Sequence, residues 1–468
     1  MQPLKTQTFA LYFGNRGFFP ETLIASARDE VSQAVKKAGF DFIMPPAEMT
    51  RYGAVETKDE GLTYAKWLKE NEGAFDGIIM SLPNFGDENG AVWAIKDANA
   101  PIFIQAYPDE TGKMDFEHRR DSYCGKFSIC DVFHQYKIPY TIMKPHTVHP
   151  LTKEFESNLK DFAAVCRVVN GMRNFTIGVI GARTTKFKTV RYDEITLQKY
   201  GITCDTYDLS ELFYRIEKMA DNDERVKSKI EHLVNYTDFS MVPKNKTLML
   251  AKTSVAIDDM MNEYHLDCIT LRCWEEMQTV LGIAPCVLLS ELNDRGIVAS
   301  CEIDLCSAIN MYSLMLASET PAACLDWNNN YGNDENKVIL FHCGPVAQTL
   351  MAAKGRVTDH KMFAKTNPGC GWGSNEGRID AFEMTYSNCK TENGKLTFYV
   401  DEGEFTGEEI EQKYFGCGGV AKINNLQDKL IKLSKSGFRH HTAIGKGHMA
   451  SIIREAFTEY LGYDMIEL

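Results

Sequence analysis

The first third of the chain alternates short apolar runs with an amphipathic stretch. The runs at 8–14, 76–83 and 101–108 (TFALYFG, DGIIMSLP and PIFIQAYP) have the length and apolar content of buried strands. Residues 21–38 carry apolar side chains at helical spacing. Strands that alternate with helices indicate βαβ units with parallel strands. We therefore predict a parallel sheet covered by helices.

In such a sheet, ligands bind beyond the carboxyl ends of the strands. Three polar segments follow the predicted strands, at 15–16, 84–88 and 105–109. We expect them to lie on one edge of the sheet.

The alternation of strands and helices recurs in a second segment and then gives way to a strand-rich segment. NFTIGVIGAR (174–183) begins a second α/β pattern, and GIVASCEIDL (296–305) is predicted to be a strand that runs into a helix ending near Ala317. Later segments such as KVILFHCGP and KLTFYVDEGEFT are strand-like and joined by turn-forming residues, and WNNNYGNDEN (327–336) is predicted to be a loop. The predicted fold is therefore two Rossmann-like α/β domains, at 1–170 and 171–317, followed by a β-rich C-terminal domain at 318–468.

Composition excludes several classes of function. The net charge of -13 argues against nucleic acid, whose binding needs a basic surface. No apolar run reaches the ~18 residues of a membrane span. The N-terminal stretch shows no secretory signal pattern, and the 14 cysteines form no CxxC pair. We expect a reduced, cytoplasmic protein that binds neither nucleic acid nor membrane.

Four polar residues stand in apolar surroundings: Glu302 in IVASCEIDL, Asp326 in AACLDWN, His342 in VILFHCGP and His441 in FRHHTAIG. Two carboxylates and two imidazoles would suit Mn²⁺ or a similar divalent ion, with two positions left for adjacent oxygens of a substrate. A cation at those oxygens would stabilise a developing enediolate while the carboxylates move protons.

Each of these residues also has an ordinary structural interpretation. Glu302 could be a charge at the N-terminus of the following helix, and Asp326 a turn former. His342 could be a hydrogen-bonded core histidine, and the pair at 440–441 could lie on the surface. Spacing along the chain does not decide whether the four side chains meet.

Several longer motifs carry a family resemblance. They are RCWEEM (272–277), GIAPCVLLSELNDRGIVASCEID (282–304), LDWN (325–328), FHCGP (341–345), GCGWG (369–373) and HHTAIGKG (440–447), with NRGFFPETL (15–23) and PNFGDENG (83–90) near the N-terminus. In this order they resemble the L-fucose/L-arabinose isomerase family of metal-dependent aldose–ketose isomerases. The resemblance implies a three-domain fold, a metal-stabilised cis-enediol(ate), and a homo-oligomer, hexamer or trimer of dimers, with active sites between subunits.

The resemblance also implies roles for individual residues. Glu302 and Asp326 match the catalytic, metal-binding carboxylates, and His441 matches the metal histidine, with His440 as the alternative. His342 is similar to a histidine that helps the metal in arabinose-type enzymes. The implied cofactor is Mn²⁺, or another divalent cation such as Mg²⁺ or Co²⁺.

The implied substrate is a small sugar, either L-fucose/arabinose-like or a C6-modified hexose such as sulfoquinovose, which carries a sulfonate. Substrate contacts would come from Arg16, Asn84, Gln105, Arg439 and His440. An anionic group calls for Arg or Lys, and Arg16, Arg183, Arg439 and Lys446 are the possible donors. The alternatives are another metal-dependent sugar enzyme, an epimerase or hydrolase, and a non-catalytic sugar-binding protein.

Overall fold

The computed structural model describes residues 5–410 and 414–468, which form two compact units. The N-terminal unit contains residues 5–170 and 455–460, and the C-terminal unit contains the other described residues from 171 onward. The three-domain division at 170 and 317 stays a prediction.

The N-terminal unit is built around one parallel sheet. Its elements are β1 (Thr8–Phe13), α1 (Thr22–Lys37), β2 (Asp41–Ile43), α2 (Lys58–Glu70), β3 (Gly77–Leu82), α3 (Glu88–Ile95), β4 (Ile102–Ala106), α4 (Ser122–Gln135) and α5 (Lys153–Met172). The strand order is β2-β1-β3-β4, and every pair is parallel. Apolar clusters bury both faces of the sheet, as the nearly continuous apolar runs predict.

Polar residues fix where the helices of this unit begin. Thr57 caps α2 through a reciprocal pair of hydrogen bonds with Glu60, which satisfies two backbone N–H groups of the first turn. The Asp87 carboxylate caps α3 by accepting from the Gly90 N–H at 2.7 Å. Both caps hold loops at the carboxyl edge of the sheet.

The C-terminal unit contains a second parallel sheet and a larger β structure. Its first elements are β5 (Phe175–Ile180), α6 (Glu194–Lys199), β6 (Ile202–Tyr207), α7 (Leu209–Lys218), α8 (Glu224–Tyr236), α9 (Lys244–Glu263), β7 (Cys268–Leu271), α10 (Cys286–Asp294), β8 (Ala299–Cys301) and α11 (Leu305–Ser318). The four strands pair in parallel in the order β6-β5-β7-β8. Apolar residues of α7 to α10 pack against this sheet.

The remaining elements form the β-rich part. They are β9 (Ala322–Asn330), β10 (Lys337–His342), β11 (Arg356–Asp359), α12 (Lys361–Ala364), β12 (Trp372–Arg378), β13 (Phe382–Glu392), β14 (Lys395–Phe405), β15 (Cys417–Lys422), α13 (Leu426–Lys435), β16 (His441–Lys446), α14 (Ala450–Glu455) and β17 (Asp464–Met465). The strand order is β11-β12-β15-β10-β9-β16-β13-β14-β17, and β14 also pairs with β15. Six strands from β15 to β14 therefore close into a ring around an apolar core.

The structure confirms the predicted fold class of parallel α/β sheets followed by a β-rich part. The prediction of a loop at 327–336 is wrong for residues 327–330, because β9 continues to Asn330. Asn329 and Asn330 pair with Ile339 and Val338 of β10, and these ladder hydrogen bonds outweigh the weak strand preference of asparagine. All 14 cysteines are free thiols. The described helices include none with the length and apolarity to cross a membrane.

Candidate active site

The Glu302 side chain is positioned by an unusual backbone segment after β8. Glu302 and Ile303 both have positive φ, 64° and 60°, a region that residues with a Cβ seldom adopt. Strain of this kind persists only where the surrounding structure enforces it, and it is concentrated at functional sites. The segment turns the Glu302 carboxylate back toward Trp274, whose indole N–H donates to Oε1 at 3.0 Å.

Asp304 ends the same turn and is the N-cap residue of α11. One carboxylate oxygen accepts from the Ser307 N–H at 3.2 Å, which caps the helix, and the other accepts from the Ser307 hydroxyl at 2.6 Å. The Asp304 side chain is fully buried. A buried charge of this kind needs a counter-ion, and Arg439 supplies it by direct ion pairing.

Strand pairing in the closed ring brings the other predicted residues together. His441, the first residue of β16, lies directly opposite Asp326 of β9. On its other side β9 pairs with β10, where Asp326 faces Phe341, so that His342 comes next along that strand. Asn388 of β13 donates to the His441 carbonyl at 2.7 Å and holds the start of β16 in place.

His441 is the centre of the cluster. Its Nδ1 lies 2.7 Å from Oδ2 of Asp304, which is ionised and can only accept, so Nδ1 carries a hydrogen. Nε2 lies 3.3 Å from Glu302 Oε2 and 3.2 Å from Asp326 Oδ1. The imidazole is 1% exposed. Two carboxylate oxygens and one imidazole nitrogen therefore converge on one buried point.

Those two carboxylate oxygens lack hydrogen-bond donors. Glu302 Oε2 and Asp326 Oδ1 are buried and have no hydrogen-bond partner among the described residues. A buried carboxylate oxygen without a donor is costly unless a cation or proton compensates it. The donor set of two oxygens and one nitrogen suits Mn²⁺ or a similar divalent ion, and Asp326, His342 and His441 offer ligand atoms within 4.8 Å of one another. The site therefore fits a divalent metal.

The electrostatics of the cluster favour ionised carboxylates. Burial alone would raise the pKa of Glu302 and of Asp326, but positive charge on the nearby imidazoles of His441 and His342 lowers both pKa values below their ordinary range. A divalent cation beside the carboxylates would lower both pKa values in the same way while the two rings are neutral. Asp304 behaves in the same way, because Arg439 and His441 outweigh the effect of its burial on its pKa.

His342 is oriented differently from His441. Its Nδ1 accepts from the Cys343 backbone N–H at 2.9 Å, and its Nε2 lies 3.4 Å from the Cys301 sulfur. A neutral ring that accepts at Nδ1 carries its hydrogen on Nε2. When both rings are neutral, His342 therefore presents an N–H, whereas His441 presents a lone pair.

The two adjacent histidines, His440 and His441, differ in how exposed their side chains are. The His440 side chain is 43% exposed, and its Nε2 lies 3.6 Å from Asp326 Oδ1. Arg439 is 4% exposed and turned toward Asp304, on the Nδ1 side of His441. The ring of Phe187 lies against His440, His441 and Trp274, with centroids 5.6, 5.9 and 5.9 Å away.

Three predicted substrate residues lie in the N-terminal unit, and two of them, Arg16 and Asn84, are in contact. Asn84 donates to the Asn15 side chain at 2.6 Å and accepts from the Arg16 backbone N–H at 3.3 Å, at the carboxyl edge of the sheet. The Arg16 guanidinium pairs with Glu88 and stacks on Phe85. Gln105 is buried within β4, where it donates to the Val148 carbonyl at 2.6 Å and accepts from the Ser81 hydroxyl.

Sequence reasoning did not single out Asp304 and Trp274, although both contact the cluster. Asp304 belongs to the CEID motif, and an acid two residues after a candidate catalytic glutamate was an available signal. The signal for Trp274 was weaker, because a tryptophan beside a predicted strand usually indicates packing.

Comparison with known proteins identifies the family of the chain. Residues 10–173 match the family model of the fucose/sulfoquinovose isomerase N-terminal domain, and residues 340–468 match that of the L-fucose isomerase C-terminal domain. Together the two ranges cover more than half of the chain. They include His342 and His441, whereas Glu302 and Asp326 fall between them.

The chain belongs to the fucose isomerase-like family. Within it, the chain is similar to the sulfoquinovose isomerases of Priestia aryabhattai and Priestia megaterium, at 24% identity over 390 residues, which is 81% of this chain and 83% of each relative. The sulfoquinovose isomerase of Alkalicoccus urumqiensis is 23% identical over 393 residues, with the same coverage.

Proposed function

We propose that this protein is a metal-dependent aldose–ketose isomerase that acts on a sugar through a cis-enediol(ate). The observation that carries the proposal is the pair of buried oxygens without a hydrogen-bond partner, Glu302 Oε2 and Asp326 Oδ1, which lie 3.3 and 3.2 Å from His441 Nε2. Family membership and the named isomerase relatives support the same activity.

We assign the metal to Glu302, Asp326 and His441, with Mn²⁺ as the first candidate. A bound divalent cation supplies positive charge beside the sugar oxygens at C1 and C2, which stabilises an enediolate. His441 offers its Nε2 lone pair because Asp304 holds the hydrogen on Nδ1.

The protein's own groups would move the protons. Glu302 and Asp326 are both ionised, so that either can accept the proton from C2, and the carboxylic acid formed can return a proton to C1. The other carboxylate can carry the hydroxyl proton from O2 to O1, which completes the conversion of aldose to ketose. Trp274 holds Glu302 by its Oε1, which leaves Oε2 toward the reacting atoms.

Turnover in D₂O tests the proton route. A carboxylic acid intermediate exchanges its proton with solvent, so that we expect deuterium at C1 of the ketose, read by NMR after incubation with Mn²⁺ and the aldose. Full retention of the substrate hydrogen in both directions would indicate a hydride shift and contradict the roles of both carboxylates. Binding without any ketose would instead indicate a sugar-binding protein, and an epimer or hydrolysis product another sugar enzyme.

We further propose that the substrate carries an anion at C6, as in sulfoquinovose. Among the basic candidates of the C-terminal unit, Arg439 is paired with Asp304, and Lys446 lies five residues along β16 from His441, about 17 Å away. Arg183 remains. It is half-buried and donates to the carbonyl of Phe187 at 3.4 Å, and the Phe187 ring borders His441 and Trp274.

Replacing Arg183 by Gln tests this assignment. We expect kcat/KM for sulfoquinovose to fall about 10–100-fold, the effect of losing one charge-assisted hydrogen bond, and that for an uncharged aldose to change little. Arg191→Gln, an exposed arginine of the same segment, is the matched control. Equal losses for both sugars would show that Arg183 does not read the anion.

We also propose that the protein is a homo-oligomer, a hexamer or trimer of dimers, whose active sites are shared between subunits. The first domain would contribute substrate contacts to these sites through Arg16, Asn84 and Gln105.

A further inference from the structure

A second cluster of possible ligands lies in the C-terminal unit. Cys286 begins α10, Cys343 follows the end of β10, and His360 directly precedes α12. Their ligand atoms, two sulfurs and one imidazole nitrogen, lie within 4.8 Å of one another. The catalytic carboxylates contribute nothing to this group of three.

The cluster contains an unsatisfied buried group. His360 is 4% exposed, and its Nδ1 is buried without a hydrogen-bond partner in the part of the chain that the structure describes. Cys286 is 3% exposed. An unpaired buried imidazole nitrogen carries a desolvation cost, which a bound ligand would remove.

The backbone around the cluster is firmly held. The His360 N–H donates to the Gly371 carbonyl at 2.9 Å, and the Ser374 hydroxyl donates to the Cys343 carbonyl at 2.6 Å. The Ala284 N–H, two residues before Cys286, donates to the Trp372 carbonyl at 3.0 Å. All three ligand segments are therefore anchored to residues 371–374, which preorganises the site.

We propose that Cys286, Cys343 and His360 bind a soft divalent cation of the Zn²⁺ class. Two sulfurs and one imidazole nitrogen form three corners of the tetrahedral arrangement that Zn²⁺ and Cd²⁺ prefer, with a fourth position open. The oxygen-rich set of Glu302, Asp326 and His441 selects harder ions, so that ligand softness distinguishes the two sites. The two sites are neighbours, because the Cys343 sulfur lies 3.3 Å from Nδ1 of His342, and the His342 ring centroid lies 5.7 Å from that of His441.

Cadmium titration of the Mn²⁺-loaded protein tests the proposal by its sulfur-to-metal absorption in the near ultraviolet. We expect a band that saturates at one Cd²⁺ per chain. It should disappear in Cys286→Ser and in Cys343→Ser, and His360→Gln should weaken Cd²⁺ binding about tenfold or more. Cys370→Ser, which alters a half-buried thiol of the neighbouring segment, and Glu302→Gln should both keep the band.

A measurement on the unmodified protein covers the case in which a serine variant misfolds. X-ray absorption at the zinc edge of protein loaded with one equivalent of Zn²⁺ should show sulfur neighbours at about 2.3 Å and nitrogen at about 2.0 Å. Oxygen and nitrogen neighbours alone would overturn the proposal. So would the absence of a cadmium band, or a band that survives in folded Cys286→Ser and Cys343→Ser.

Discussion

Glu302→Gln and Asp326→Asn should each lower turnover by about 10³-fold or more. Each change keeps the size of the side chain but removes a negative charge and a proton acceptor, and general acid–base groups contribute about 10²–10⁴-fold. Each variant removes the charge from one of the two oxygens that converge on His441 Nε2, so we also expect weaker Mn²⁺ binding in each.

Steady-state kinetics at saturating Mn²⁺ separate these two effects, because excess metal restores occupancy but cannot restore the base. Glu335→Gln, which neutralises an exposed acid before β10, is the matched control and should behave like the unmodified protein. Normal turnover in either folded variant at saturating metal would remove that carboxylate from the mechanism.

Asp304→Asn should weaken Mn²⁺ binding by about 10–100-fold, the usual effect of losing a partner that orients a metal-binding histidine. The asparagine amide can donate to Nδ1 of His441, which favours the tautomer with hydrogen on Nε2. That hydrogen would point at Glu302 and Asp326, where the lone pair now lies. Asp304 is a positioning residue, so high Mn²⁺ should recover part of the lost turnover.

The same change leaves the buried Arg439 without its counter-ion, and we expect the free energy of unfolding to fall by about 3–5 kcal/mol. Ser307→Ala is the control, because it removes the hydrogen bond from the Ser307 hydroxyl to Asp304 and keeps the Asp304 charge. Calorimetric Mn²⁺ titration and thermal unfolding measure the two effects separately. Unchanged Mn²⁺ affinity in folded Asp304→Asn would show that Asp304 does not control the state of His441.

Local sequence patterns determined much of the fold. Consecutive apolar residues at 76–83 and 101–108 specify strands buried on both faces, and such strands occur in parallel sheets between helices. The candidate site residues could be recognised in the sequence for a related reason. A carboxylate or imidazole within an apolar strand carries a cost that must be compensated, which marks Glu302, Asp326, His342 and His441 as unusual.

Only the tertiary structure decided how those residues meet. Asp326 and His441 are opposite each other because β9 pairs with β16, and strand register across such a separation depends on the packing of the whole ring. The positive φ values of Glu302 and Ile303 are likewise imposed by their surroundings, since neither residue favours them. The pairing of Arg439 with Asp304 was also invisible in the sequence, because only the burial of Asp304 creates the need for a positive partner.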